Sequence, residues 1–382
     1  MLPSLLNRAD YPSFRSGVYL NQASLGLIGQ PAVTAMQVFI DEVARHGNSN
    51  MSDREEVAFL ESLRNRAAKM LNARESGIAI TAGSSEILSQ LPFLIRPRPQ
   101  DTILTVASDF PAITRPWHRL AALKECSVRQ VNDNPEQDLT DSLISALDKS
   151  VAIVAVGNVQ YATGTVVDIP RLLEAATQAG ARLIIDATQA VGALPVDADA
   201  WAADALVCSG YKWLGGHGGV ALAVMSPRLL EQMPPLSGWM GAPDPFDFDA
   251  TSIRFVNDAR RYTQSTMSYV SVAGLTVALD QLLALGADQI EEHARMLAGI
   301  LVDGAARYGW LPFRLLNDPA ASPHIISLAR PGDDTQIAIG ALREQNVLCG
   351  TRGGRLRVSI APYNDESDVE AFINAIAEVP AA

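Results

Sequence analysis

The stretch that decides the fold is Arg182-Leu183-Ile184-Ile185-Asp186-Ala187-Thr188-Gln189. A second stretch of the same kind follows at Ala205-Leu206-Val207-Cys208-Ser209-Gly210-Tyr211-Lys212-Trp213. Each begins with the apolar run of a strand buried on both faces and ends in polar residues. Open α/β sheets place their ligand sites at the carboxyl ends of such strands. We therefore expect Asp186 and Lys212 to face one crevice, although spacing alone favours a structural salt bridge between them.

Similar apolar runs alternate with helical patterns through the first part of the chain. The predicted strands are 78–81, 102–107, 151–156, 182–187, 205–210 and 219–225, with helices at 84–94 and 170–179 among them. This alternation predicts an α/β fold with a mostly parallel sheet that helices cover on both faces.

A stretch rich in Pro, Gly and Asp interrupts the alternation at 234–249. We place a domain boundary just after it, with a large domain at 1–250 and a smaller α+β domain at 251–382. The second domain is predicted to contain helices at 269–285, 289–308 and 366–376, and strands at 325–329 and 356–360.

The composition excludes several classes of partner. The 42 acidic and 30 basic side chains give a net charge of −12, which disfavours nucleic acids and anionic membranes. No apolar run reaches the roughly 18 residues of a membrane span, and the first residues do not form a signal peptide. Three separated cysteines and five dispersed histidines predict no disulfide framework and no metal site. We expect a cytoplasmic protein.

The segments 186–192 and 209–216 carry a specific resemblance, together with Asp197 and Asp204. They resemble the class V aminotransferase family, which includes cysteine desulfurases, kynureninase and isopenicillin-N epimerase-like enzymes. The resemblance extends over nearly the whole chain, from Tyr19 to Asn364. It implies fold type I, with a seven-stranded, mostly parallel sheet in the large domain and residues 1–20 packed on the small domain. It also implies a pyridoxal 5′-phosphate (PLP) cofactor.

The resemblance assigns roles to the two residues at the strand ends. Lys212 matches the lysine that holds PLP as a Schiff base, and Asp186 matches the partner of the pyridine nitrogen. Gln189 matches the residue that hydrogen-bonds the ring hydroxyl. Phe110 stands where desulfurases have a histidine stacked on the ring, although a phenylalanine here is also typical of a core residue.

Three serines are expected to bind the phosphate of PLP. Ser209 matches a phosphate ligand of the family, and a strand-end hydroxyl that bonds its own backbone is the alternative. Ser84 and Ser85 open a predicted helix, where an ordinary N-cap is equally compatible with the pattern. In relatives, the threonine that matches Thr266 reaches the cofactor of the neighbouring subunit, which implies a homodimer with shared active sites.

The expected substrate is an amino acid with a free α-carboxylate. Arg357 resembles the arginine that binds this carboxylate, because guanidinium offers a planar fork to two carboxylate oxygens. An edge-strand arginine exposed to solvent is the alternative. Asn21 and Tyr161 are also expected at the substrate, although relatives often have asparagine in place of Tyr161.

Cys349 bears on the reaction type. Desulfurases carry a nucleophilic cysteine on a mobile loop, whereas Cys349 is predicted to lie inside the strand before a shortened loop and to be a buried hydrophobe. We therefore expect a lyase, an epimerase or an aminotransferase. The alternatives are a cysteine desulfurase or C–S lyase, and a non-catalytic binding protein that retains the fold.

Overall fold

The computed structural model describes residues 1–332 and 335–380. Its strands are Val18–Tyr19 (β1), Ile78–Thr81 (β2), Thr102–Val106 (β3), Ser127–Val131 (β4), Val151–Gly157 (β5), Arg182–Asp186 (β6), Ala205–Ser209 (β7), Ala221–Met225 (β8), Leu311–Pro312 (β9), Ile325–Ala329 (β10), Val347–Leu348 (β11), Gly350–Arg352 (β12) and Arg355–Ser359 (β13). Its α-helices are Gln30–His46 (α1), Asp53–Leu71 (α2), Ser84–Ile95 (α3), Pro111–Ala122 (α4), Leu139–Ser145 (α5), Ile169–Ala179 (α6), Ala198–Trp201 (α7), Pro227–Leu230 (α8), Tyr269–Leu285 (α9), Ala287–Ala306 (α10), Thr335–Glu344 (α11) and Glu366–Ala377 (α12).

A seven-stranded sheet forms the centre of the first part of the chain, in the order β2-β8-β7-β6-β5-β3-β4. Only β8 runs antiparallel to its neighbours. The strand β5 shows how both faces are covered. Ile153 and Ala155 join a core with α3 and α4, while Val154 and Val156 join the core on the opposite face. The α/β fold predicted from the alternation of apolar runs is thus confirmed.

The edge strand β4 is absent from the predicted strands. Its sequence, Ser127-Val128-Arg129-Gln130-Val131, alternates apolar and polar side chains and is only partly buried at the edge of the sheet. It therefore lacks the continuous apolar run that revealed the fully buried strands.

The C-terminal part contains a four-stranded antiparallel sheet in the order β12-β13-β10-β9. Trp310 and Phe372 are fully buried in the core between this sheet and the helices α10 to α12. The first residues of the chain contact this part, since β1 pairs in parallel with β11 and the amides of Leu5 and Leu6 donate to the carbonyl of Pro362. The division into domains at residue 250 stays a prediction.

Helix α9 is apolar over most of its surface and packs against α1 and α2. Within the described ranges, no single helix is long and apolar enough to cross a membrane. Helices α9 and α10 meet that requirement only as a pair, and they form an angle of 77°.

Candidate active site

Asp186 and Lys212 line the same pocket. Asp186 is the last residue of β6, and Lys212 follows the end of the neighbouring β7. Because the two strands are parallel, both ends open on the same edge of the sheet. Two residues that the sequence separates are therefore brought to one pocket, as their positions at strand ends predicted.

Lys212 is 6% exposed, and its amine has no hydrogen-bond or salt-bridge partner within 1–332 and 335–380. Burial lowers the pKa of Lys212 to about 8, against the attraction of Asp186, and the charges of Arg357 and Arg352 lower it further. The amine lies 5.2 Å from the centroid of the Phe110 ring. No salt bridge to Asp186 forms, so the structural alternative for this pair does not hold in this geometry.

Asp186 is buried at the floor of the pocket and accepts a hydrogen bond from the amide of Thr188 at 3.0 Å. Burial raises the pKa of Asp186, while Thr188 and Lys212 oppose the rise. A cationic group brought to this carboxylate would stabilise its charged form and lower its pKa. The Thr188 hydroxyl accepts from the amide of Ser209, which ties β6 to β7 behind the pocket.

The hydroxyls of Ser84 and Ser209 lie 2.8 Å apart, although they belong to different elements. Ser84 and Ser85 begin α3, and the preceding Gly83 offers no side chain to cap the helix. The N-terminus of α3 therefore directs uncapped amides and its positive dipole into the pocket, together with two hydroxyls. This donor set is suited to an anion such as phosphate.

The side chain of Gln189 is held on two sides. Its oxygen accepts from the Trp213 indole at 2.7 Å, and its nitrogen donates to the carbonyl of Ala23 at 3.1 Å. An amide nitrogen has two hydrogens, so one remains for a ligand in the pocket. The His324 ring packs edge-on against Trp213. Its Nε2 atom forms a hydrogen bond with the backbone carbonyl of Gln189 at 2.6 Å.

Arg357 is 1% exposed and lies beside the pocket. It donates to the backbone carbonyl of Tyr161 at 2.7 Å and to the hydroxyl of Ser24 at 2.5 Å, while its Nε has no acceptor. The alternative of a solvent-exposed arginine is thus wrong. The Tyr161 ring packs edge-on against Phe110, with 5.3 Å between centroids. Phe110 is 39% exposed and lines the pocket, so it is not a core residue.

Two further predicted residues, like Arg357, do not line the pocket. The side-chain oxygen of Asn21 is buried without a partner, and a β-carbon added at Gly350 would lie 2.8 Å from it and 3.6 Å from Arg357. Asn21 therefore lies next to Arg357. Thr266 is exposed in the loop before α9 and does not line this chain's pocket. Its role across a subunit interface stays a prediction.

Asp109 lines the pocket and was not among the predicted site residues. It accepts hydrogen bonds from the amides of Gly157 at 2.6 Å and Phe110 at 2.8 Å, which joins the ends of β3 and β5. Burial raises the pKa of Asp109 to about 6. Asp109 could have been predicted as a site residue, because it lies in the loop that follows the buried strand β3. Tyr211 was also missed, and so were Ser24 and Arg352 beside Arg357.

Cys349 does not lie inside a strand, which corrects the expected position. It separates β11 from β12, because β11 pairs with β1 and the chain then leaves to pair with β13. It is buried as expected, and burial raises its pKa to about 12. The hairpin β12–β13 turns through Gly353 and Gly354 alone, both with positive φ, which is the tight turn that such residues favour. No loop that carries a cysteine is present here.

The pocket fits PLP by its donors and charges. The unpartnered Lys212 amine meets the need for a group that binds an aldehyde, and Asp186 can accept a hydrogen bond from a protonated ring nitrogen. The uncapped α3 terminus with Ser84 and Ser209 offers the hydrogen-bond donors that a phosphate group requires. Each polar end of the cofactor thus has a matching group.

Comparison with known proteins identifies the family. The model of the family described as "Aminotransferase class-V" matches residues 18–372. The chain is 29% identical over 391 residues to the cysteine desulfurase CsdA of Escherichia coli, covering 97% of this chain and 96% of that protein. It is 25% identical over 377 residues to the uncharacterized aminotransferase YcbU of Bacillus subtilis, with the same coverage of both chains.

Solved structures agree with these relatives. The crystal structure of CsdA superposes with a TM-score of 0.84 at 25% identity, covering 97% of both chains. The cystine C–S lyase C-DES, solved with its product cysteine persulfide, superposes with a TM-score of 0.86 at 19% identity, covering 97% of this chain and 99% of that one. At that identity C-DES supports the fold alone. The match over residues 18–372 shows that the chain belongs to the class V aminotransferase family of PLP-dependent enzymes.

Proposed function

We propose that this enzyme moves a proton at the α-carbon of an amino acid with a free α-carboxylate, in a lyase, epimerase or aminotransferase reaction. The observation that carries the proposal is the buried, unpartnered amine of Lys212 in the same pocket as Asp186. When bound, PLP supplies an electron sink that stabilises negative charge at the substrate α-carbon.

The binding roles follow from the groups around the pocket. Lys212 binds the aldehyde of PLP, and Asp186 holds the ring nitrogen protonated. The free amide hydrogen of Gln189 donates to the ring hydroxyl of PLP, and the Phe110 ring covers one face of the pyridine ring. Three serines bind the phosphate, namely Ser84, Ser85 and Ser209. Arg357 binds the substrate α-carboxylate next to Asn21 and Tyr161.

Lys212 is also the group that accepts and returns the α-proton. A general base is most useful when its pKa lies near the working pH, and burial brings the pKa of Lys212 to about 8. Its Nζ would take the proton from the substrate α-carbon and deliver it again to the same carbon or to a neighbouring acceptor. Return of the proton to the opposite face of the α-carbon would give epimerisation, and its delivery to a neighbouring acceptor would give transamination. Departure of a β- or γ-substituent with its bonding electrons would give elimination.

A desulfurase that forms a persulfide on its own cysteine is the less favoured candidate. CsdA carries the name of cysteine desulfurase, so this activity requires a direct test. The three cysteines here are buried, burial raises the pKa of each, and the β12–β13 turn contains only two glycines. Thiolates are the nucleophilic form of cysteine, and buried thiols form them poorly. A lyase that releases sulfur into solution needs no such thiolate.

The active enzyme is proposed to be a homodimer in the cytoplasm. Exposed apolar side chains on α1, namely Val38, Ile40 and Val43, and the exposed Thr266 outside its own pocket support a subunit interface. The free, buried cysteines support a reducing compartment.

The test is α-proton exchange in D₂O, followed by NMR with a panel of amino acids. We expect the PLP-loaded enzyme to exchange the α-proton of at least one amino acid, and Lys212→Ala to lose the exchange. Lys149→Ala removes an exposed lysine and serves as the matched control. Absence of exchange with every amino acid would instead support a non-catalytic binding protein.

A further inference from the structure

Arg352 lies next to Arg357 because of the register of the β12–β13 hairpin. Gly350 pairs with Arg357 across the two strands, and Arg352 lies two residues further along β12. Residues two apart on a strand share a face, so Arg352 and Arg357 are diagonal neighbours on one face. Gly350 has no side chain, and a β-carbon there would lie 2.8 Å from Asn21 Oδ1 and 3.6 Å from Arg357, so the guanidinium and Asn21 pack directly over its backbone.

The two guanidinium groups meet at a single hydroxyl. The Nη2 atoms of Arg357 and Arg352 lie 2.5 Å and 3.5 Å from Ser24 Oγ. A hydroxyl carries no charge, so Ser24 orients both groups without neutralising either of them. Arg352 bonds in addition only to the backbone carbonyl of its neighbour Thr351.

Neither arginine forms a salt bridge within residues 1–332 and 335–380. The buried Arg314 is a useful contrast, since it pairs with Asp133 at 3.2 Å and Asp318 at 3.1 Å. Burial lowers the pKa of Arg357 to about 10, and the neighbouring charge of Arg352 contributes. A second positive charge has therefore been placed beside a buried one, at an electrostatic cost that no acidic side chain among the described residues offsets.

We propose that the substrate carries an anionic group on its side chain, and that Arg352 binds this group while Arg357 binds the α-carboxylate. This inference rests on the proposed function and adds a substrate class to it. An acidic side chain, whether a carboxylate or a sulfur oxyacid, presents two oxygens to the planar fork of Arg352. Ser24 keeps both guanidinium groups within hydrogen-bond distance of one hydroxyl, so one small molecule with two anionic groups could contact both.

The experiment compares acidic amino acids with uncharged relatives of nearly the same shape. The probes are aspartate and glutamate, their amides asparagine and glutamine, and cysteinesulfinate with alanine as its uncharged reference. We expect α-proton exchange to favour at least one acid over its reference by about 10- to 150-fold, the usual range for a hydrogen bond to a charged group. The relative exchange rates of the carboxylate and sulfinate substrates identify the acidic group that the enzyme prefers.

Variants separate the role of Arg352 from general damage. Arg352→Gln is expected to lower the exchange of the acid much more than that of its reference substrate, which removes the preference, and Arg352→Lys to restore the preference in part. Arg355→Gln is the matched control, because Arg355 faces Arg352 across the hairpin but bonds Ser327 and the carbonyl of Leu311. Binding of succinate against its monoamide, measured by calorimetry, gives a readout without turnover.

The outcomes are distinguishable from those of the proposed function. A wild-type enzyme that exchanges uncharged amino acids better than acidic ones overturns this inference and leaves the proposed function intact. So does an Arg352→Gln variant that loses acid and amide substrates equally. Absence of exchange with these probes, together with exchange of another amino acid, overturns this inference alone, and absence of exchange with every amino acid overturns both.

Discussion

The pH at which Lys212 becomes reactive is a direct consequence of its burial. In the protein without cofactor its pKa is about 8, compared with 10.5 for an ordinary lysine. This difference corresponds to about 3 kcal/mol of lost stabilisation of the ammonium form. At pH 8 half of the Lys212 amines are thus neutral, whereas an ordinary lysine would have about 0.3% in that form.

Competitive acetylation measures this difference. The chain has four lysines, and Lys69, Lys124 and Lys149 are exposed, so they serve as references in the same digest. The cofactor-free protein is pulsed with acetic anhydride across a pH series, and each lysine peptide is quantified by mass spectrometry. The labelling of Lys212 is expected to reach its half-maximum near pH 8.

Two substitutions should move this midpoint in opposite directions. Asp186→Asn removes a negative charge that raises the pKa of Lys212, so the midpoint falls. Arg352→Gln removes a positive charge that lowers it, so the midpoint rises. A wild-type midpoint near 10.5 would refute burial as the cause. Shifts of the same sign in both variants would refute the electrostatic account.

Three further predictions concern the cofactor and the cysteine. Ser209→Ala removes the partner of Ser84 and should weaken PLP binding about tenfold in a titration, the loss expected for one hydrogen bond; unchanged affinity would exclude Ser209 as a phosphate ligand. Cys349→Ala should leave the rate of any sulfide release from cysteine unchanged within twofold, and a large loss would instead support a nucleophilic role. Thr266→Val should weaken PLP binding although Thr266 lies outside its own pocket, and equal affinity in a protein of dimeric mass would contradict a shared site.

The elements with clear apolar patterns were predictable to the residue. Strands 78–81 and 325–329 and helix 269–285 match the predicted bounds at both ends. Burial on both faces leaves an apolar run that stops abruptly where the strand meets polar loop residues. The partly exposed β4 and the two-residue β11 carry no such run, because the first faces solvent and the second is too short.

The candidate site was predictable where it depends on consecutive residues at strand ends. Two buried strands end at Asp186 and Ser209, and Lys212 comes three residues after the second, so the apolar runs alone locate all three residues. Ser24 and Arg352 were missed because their contact joins positions 328 residues apart, which local patterns do not reveal. The position of Cys349 was wrong for a related reason, since the change of sheet between β11 and β12 depends on the partner strands and not on the residue itself.

The two ends of the chain meet behind Lys212, and this has a consequence for synthesis in the cell. Gln22 donates to the Lys212 carbonyl at 2.7 Å and accepts a hydrogen bond from the Tyr363 hydroxyl, 341 residues away in the sequence. At usual elongation rates, Gln22 leaves the ribosome on the order of half a minute before Tyr363. The central sheet can form in that interval, but the hydrogen bonds that join Lys212, Gln22 and Tyr363 cannot. Cofactor capture is therefore expected to follow the synthesis of Tyr363, and a nascent chain stalled before Tyr363 should remain colourless.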